Sequence, residues 1–80
     1  MPNFTVELLK PCRIGDAVHQ AFSIHSDDVH VGNGLNVHMD DGRRFIRIFD
    51  YDKPIEAELG SYFASRKDVD EVSFSRPYQP

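Results

Sequence analysis

The stretch VHVGNGLNVHMDDGRRFIRIFDYD, residues 29–52, alternates apolar and polar side chains almost without a break and holds two glycine-bearing turn signals. Period-two alternation commits such a chain to a β-ribbon, and a one-residue slip in pairing would carry a whole strand's apolar set to the wrong face. Gly32-Asn33-Gly34 is expected to form a three-residue hairpin loop, with Val31 facing Leu35 and Val29 facing Val37. Asp41-Gly42 is expected to form a two-residue turn, with Asp40 opposite Arg43, Val37 opposite Ile46 and Leu35 opposite Ile48. The two turns independently gather the apolar residues on one face, which predicts a three-stranded antiparallel meander over residues 29–50.

The flanks complete an α+β domain over residues 1–76, with 77–80 as a loose C-terminal tail. Phe4, Val6 and Leu8 alternate in a first strand that Pro11 interrupts. Residues 12–25 are ambiguous. Ile14, Ala17, Val18, Ala21, Phe22 and His25 make a helical stripe, Val18, Phe22 and Ile24 also suit a strand, and Gly15-Asp16 suits a hairpin turn as well as a helix start. A short helix over 16–25 is the preferred reading. A firmer helix is expected over 53–67, with Asp52 as N-cap, Pro54 in the first turn, Glu56 and Glu58 near the positive end, and Arg66 and Lys67 near the negative end. Ile55, Leu59, Tyr62 and Phe63 form its apolar stripe and should cover Leu35, Val37, Ile46 and Ile48. Gly60 weakens this helix unless it permits close approach to the sheet. A last strand is expected near Glu71–Ser75 with Val72 and Phe74 inward. With 16–25 helical, the element order is that of a double-stranded-RNA-binding domain. The last helix nevertheless begins Lys53-Pro-Ile-Glu-Ala-Glu where that recognition needs basic residues, so no family is assigned.

Charge and size narrow the function. The 80 residues carry nine Lys and Arg against thirteen Asp and Glu, a net charge of −4. Direct nucleic-acid binding is disfavoured, and a protein partner with a basic surface is favoured. A chain this short has little room for an enclosed active site beside its core, so a non-enzyme is expected. Cys12 is the only cysteine, which excludes an internal disulfide and suits a reducing, cytoplasmic setting. The start Met-Pro-Asn-Phe lacks the pattern of a secretion signal, and no apolar run is long enough for a membrane span. Cys12 has no nucleophile signature, no serine sits in an elbow, and Gly32-x-Gly34 precedes no helix that would make it a phosphate loop; no cofactor is expected.

The same registers put Asp28, His30, Asn36, His38, Phe45, Arg47 and Phe49 on the face away from the core, with His38 opposite Phe45 and Asn36 opposite Arg47. Phe45, Arg47, Phe49, His38 and Asn36 are the candidate partner-binding residues, and Asp40 and Asp41 the steering charges. A purely structural reading has residues 12–25 or the C-terminal tail covering Phe45 and Phe49 as a second small core. Asp28, His30 and His38 could also form a two-His, one-carboxylate metal set, but they lack a supporting motif and second shell, so no metal is expected. The other acidic clusters read as solvated turns and helix starts, or as a charge pattern that imitates nucleic-acid phosphates. The expected function is a non-catalytic protein-binding module, a small acidic inhibitor or adaptor that occludes a partner surface. Its size and charge resemble phage-encoded inhibitors of host defence such as anti-CRISPR proteins. The alternatives are a metal-binding protein using the two-His face and a self-associating structural subunit.

Overall fold

The computed structural model describes residues 3–75. Six strands form one sheet: β1 (Phe4–Leu8), β2 (Cys12–Ile14), β3 (Ala17–Ser26), β4 (Val29–Met39), β5 (Arg44–Phe49) and β6 (Glu71–Phe74). The spatial order is β1-β3-β4-β5-β6, with β2 beside β1 on the same edge of β3. All pairings are antiparallel except β5 with β6, which are parallel because a 3-10 turn (Lys53–Ile55) and the helix α1 (Glu56–Ala64) cross over between them. The expected α+β class, the terminal strands and the helix after Asp52 are all present, α1 ending short of residue 67. Residues 77–80, expected as a loose tail, lie outside the described residues.

Residues 16–25 are strand rather than helix. β3 pairs with β1 and β2 on one edge and β4 on the other, and its apolar residues, distributed over both faces of this central strand, fall at spacings that imitate a helical stripe. Gly15 (φ +61) turns the chain from β2 into β3, the hairpin alternative weighed for Gly15-Asp16. Between β1 and β2, the Leu9 amide donates to the Ala21 carbonyl (2.9 Å) and Gln20 Nε2 donates to the Leu9 carbonyl (2.8 Å). Those bonds hold the edge together across Pro11.

The meander is β3-β4-β5, and it spans residues 17–49 rather than 29–50. Gly32-Asn33-Gly34 is no loop: β4 runs straight through it for 11 residues. The hairpin bend lies at Asp27 (φ +51) and Asp28 (φ +66), whose two left-handed residues make the turn that suits strand twist. The glycines serve packing instead. A Cβ at Gly34 would stand 2.1 Å from the Phe22 ring, and one at Gly32 would stand 3.1 Å from Tyr51 Cβ. Aromatic side chains occupy the space that side chains at 32 and 34 would fill.

The second turn is also one residue longer than expected. Met39 pairs with Arg43 around Asp40-Asp41-Gly42, with Gly42 at φ +96 closing a three-residue loop. Val37 therefore faces Phe45 and Leu35 faces Arg47, while Ile46 and Ile48 face Asn36 and Gly34. This slip moves Leu35 and Val37 off the expected core face. Val31 enters the core by another route: β4 bulges where Ile24 pairs with Gly32 and His25 with His30, leaving Val31 as the extra residue, while Val29 is exposed.

The core forms where α1 crosses one sheet face. Phe22, Ile24, Val31, Ile46, Ile48, Tyr51, Leu59 and Phe63 are buried together, with Phe4, Val6, Ile55, Val72 and Phe74 packed around them. Of the expected helix stripe only Tyr62 stays largely outside, its ring edge-on to Phe4. Tyr51 donates its hydroxyl hydrogen bond to the Glu56 carboxylate, which Lys53 also contacts at 3.1 Å. These bonds hold the Glu56 carboxyl below its ordinary value and raise that of the Tyr51 phenol.

Ile48→Ala and Leu59→Ala, both fully buried, should each lose ~2–5 kcal/mol in denaturant unfolding. Val37→Ala should lose less than either, because Val37 lies on the uncovered face. Glycine substitutions separate the two roles of glycine. Gly34→Ala should cost ~1–3 kcal/mol and be partly rescued by Phe22→Leu. Gly60→Ala, whose Cβ would meet the Phe74 ring at an ordinary 3.7 Å, should stabilise by up to about 1 kcal/mol.

Candidate protein-binding face

Paired residues share a face, so the sheet side away from α1 can be read row by row. One row is Cys12, His19, Val37, Phe45 and Glu71, and the next is Ala21, Leu35, Arg47 and Ser73. Ile14, Ala17 and Met39 extend the face past the first row; Ser23, Asn33 and Phe49 extend it past the second. The only helix is on the opposite side, so among the described residues no element lies over Leu35, Val37, Phe45 or Phe49. A hollow of about 440 Å³ opens here, lined by His19, Leu35, Val37, Phe45, Arg47, Glu71 and Ser73. His19 Nδ1 is buried beside it and has no hydrogen-bond partner among the described residues. Apolar side chains continue onto the β1–β2 edge, where Leu9 and Ile14 are 52% and 60% exposed.

Charge is distributed unevenly around this apolar centre. Arg47 is exposed and makes no ion pair with a described residue. Arg43 lies over the Phe45 ring, 5.6 Å from its centre. Its charge is matched by Asp41, which also accepts the Arg43 amide hydrogen bond at 3.0 Å. Asp40 accepts two hydrogen bonds from the Arg13 guanidinium, at 3.0 and 3.1 Å. The Arg13 hydrogen bonds hold the Asp40 carboxyl below its usual range, and the Arg43 amide does the same for Asp41. Acids at the other borders lack such partners. Glu7 on β1, Asp27 and Asp28 in the β3–β4 turn, and Glu71 on β6 make no ion pair with described residues.

Three of the expected contact residues, Phe45, Arg47 and Phe49, do share the open face. Asn36 and His38 do not: the one-residue register change puts them on the helix side, opposite Ile46 and Arg44. Asp40 and Asp41 stand at the end of the sheet as compensated charges. Asp28, His30 and His38 are not brought together, because His30 and His38 lie eight residues apart on one continuous strand, about 26 Å at strand rise. His30 instead meets His25, with ring centres 5.4 Å apart. Among the described residues no group of three or more His, Cys, Asp or Glu is placed to hold a metal ion. Leu35, Val37, His19, Glu71 and Ser73 are face residues that periodicity assigned elsewhere or left unassigned. The signal for the first two was Gly42, which suits the left-handed last position of a three-residue loop.

Comparison with family models, curated proteins and solved structures finds no match for this chain. Among the described residues no helix is long and apolar enough to cross a membrane.

The Asp40 carboxyl should titrate below its ordinary value of 3.8, as followed by side-chain NMR. Because the folded value is depressed, the Arg13 pair contributes stability above pH 3.8 and loses it as pH falls through the depressed value. Arg13→Gln should move the Asp40 midpoint upward; an unchanged midpoint would reject the pairing.

Proposed function

We propose that this chain is a non-catalytic protein-binding module that works by occlusion, covering a functional surface of another protein with the open face of its sheet. The supporting observation is the anatomy of that face. Its centre is apolar and aromatic, one unpaired arginine stands within it, and unpaired carboxylates border it at Glu7, Asp27, Asp28 and Glu71. Protein interfaces combine a dry aromatic or arginine centre with a polar rim in this way. The complementary partner offers an apolar patch, a carboxylate for Arg47 and a basic rim. Net charge −4 favours the same sign of partner. An inhibitor or adaptor reading fits a domain that commits one whole sheet face to a partner. Phage-type inhibitors of host defence, anti-CRISPR proteins among them, work by such occlusion, and a cytoplasmic site of action belongs to the same proposal.

Affinity capture from the source cell, followed by calorimetry with the purified partner, tests this. Arg47→Ala and Phe49→Ala should each weaken binding by ~2 kcal/mol or more. Asp27→Asn with Asp28→Asn keeps the left-handed turn, which asparagine tolerates, and should mainly slow association and flatten its salt dependence. Asp40→Asn with Asp41→Asn should do so less, since Arg13 and Arg43 already neutralise that turn. If both anchor substitutions leave affinity intact while the acidic pairs abolish it, the open face is not the contact surface.

A further inference from the structure

We infer that, before a partner is met, the open face is covered by a second copy of this chain, so that the free protein is a face-to-face dimer that must separate in order to bind. The inference rests on the reading of this face as a protein contact and adds its regulation. The observation behind it is a charge arrangement that complements itself. Arg47 faces Ser73, and Phe45 faces Glu71, on the adjacent strands β5 and β6. Arg47 and Glu71 are therefore diagonal neighbours, with backbones about 7–8 Å apart. Both are exposed, both line the same hollow, and neither makes an ion pair with a described residue.

A two-fold axis lying in the contact plane between them sets each Arg47 over the Glu71 of the other copy. The same operation brings Phe45 of each copy close to its own equivalent. In such an isologous contact every complementary pair occurs twice, so one diagonal of opposite charges supplies two ion pairs across the interface. The apolar neighbours Leu35 and Val37 lose water in the same contact, as in sheet-on-sheet packing. Asp27 and Asp28 do not oppose it. Their turn precedes Val29, and Leu35 is six residues further along β4, about 20 Å at strand rise, so their repulsion is screened at physiological ionic strength. Dimer and partner complex use the same residues and exclude one another, which makes the apparent affinity for a partner fall as the concentration of the protein rises.

Sedimentation velocity of the full chain between about 1 and 100 μM provides the test, with circular dichroism to verify folding of each variant. The wild-type protein should sediment increasingly as a dimer over this range. Arg47→Glu and Glu71→Arg should each weaken the dimer by at least tenfold, and the double variant carrying both should recover most of that loss, because it restores the cross pairs with their signs exchanged. A wild-type protein that stays monomeric throughout overturns the inference, as does a double variant no better than the single ones. Partner capture is read separately. A monomeric protein that still binds a partner through Phe49 leaves the occlusion reading standing and removes only the dimer, whereas a charge-swappable dimer that captures nothing removes the partner and keeps the self-association.

Discussion

The Phe22 ring lies against the backbone of Gly34 at the centre of the sheet, and most of the fold depends on that contact. An added methyl at 34 would be 2.1 Å from the ring, so with Phe22 in this position residue 34 is held to glycine. The pairing of Phe22 with Gly34 sets the register of β3 on β4, and that of Gly34 with Ile48 sets β5. Phe63 of α1 then packs on the same ring, with centres 5.6 Å apart, which seats the crossover helix over Ile46 and Ile48. A small domain cannot spread its burial over many residues, so one glycine–aromatic contact in the central strands carries unusual weight.

That arrangement concentrates the core on one sheet side and leaves the other without cover among the described residues. The division of labour on the exposed side is physical. Strands β3 and β4 carry apolar side chains on both faces near their middle, yet the one helix among the described residues covers a single face. Ala21, Leu35, Val37, Phe45 and Phe49, all half-buried, are the consequence. Their exposure is a standing hydrophobic cost in a free monomer, and a second protein surface removes it.

Electrostatics then distinguishes the ends of the sheet. The β4–β5 turn binds its own charges through Arg13 and Arg43, whereas the β3–β4 turn holds Asp27 and Asp28 without cationic partners among the described residues. Under the proposed function, a field concentrated at one end would orient an approaching basic surface, while Arg47 and the two phenylalanines would supply the short-range fit. Charge that looks evenly scattered along the chain is therefore polar in space.

Local patterning was enough to predict strands at both ends of the chain, a β-ribbon within residues 29–50, a helix after Asp52, and the inward direction of Ile46, Ile48, Leu59, Phe63, Val72 and Phe74. These are local properties, carried by side-chain alternation, a proline-bearing helix start and helical spacing. It was also enough to place Phe45, Arg47 and Phe49 on one face, since three alternate residues of one strand stay together in any register. Partnership between strands was another matter. A glycine in a strand reads as a turn until the ring that needs its space is known, so residues 32–34 looked like a loop. Residues 16–25 matched a helical stripe because the apolar residues of β3 fall on both of its faces, and only pairing with strands on both edges shows it to be a central strand. Only tertiary packing, Phe22 over Gly34 and a three-residue loop closed by Gly42, decided that Leu35 and Val37 join Phe45 on the open face while Asn36 and His38 leave it. Strand periodicity fixes which residues travel together; which face they reach depends on a one-residue choice of register that only contacts between distant segments can make.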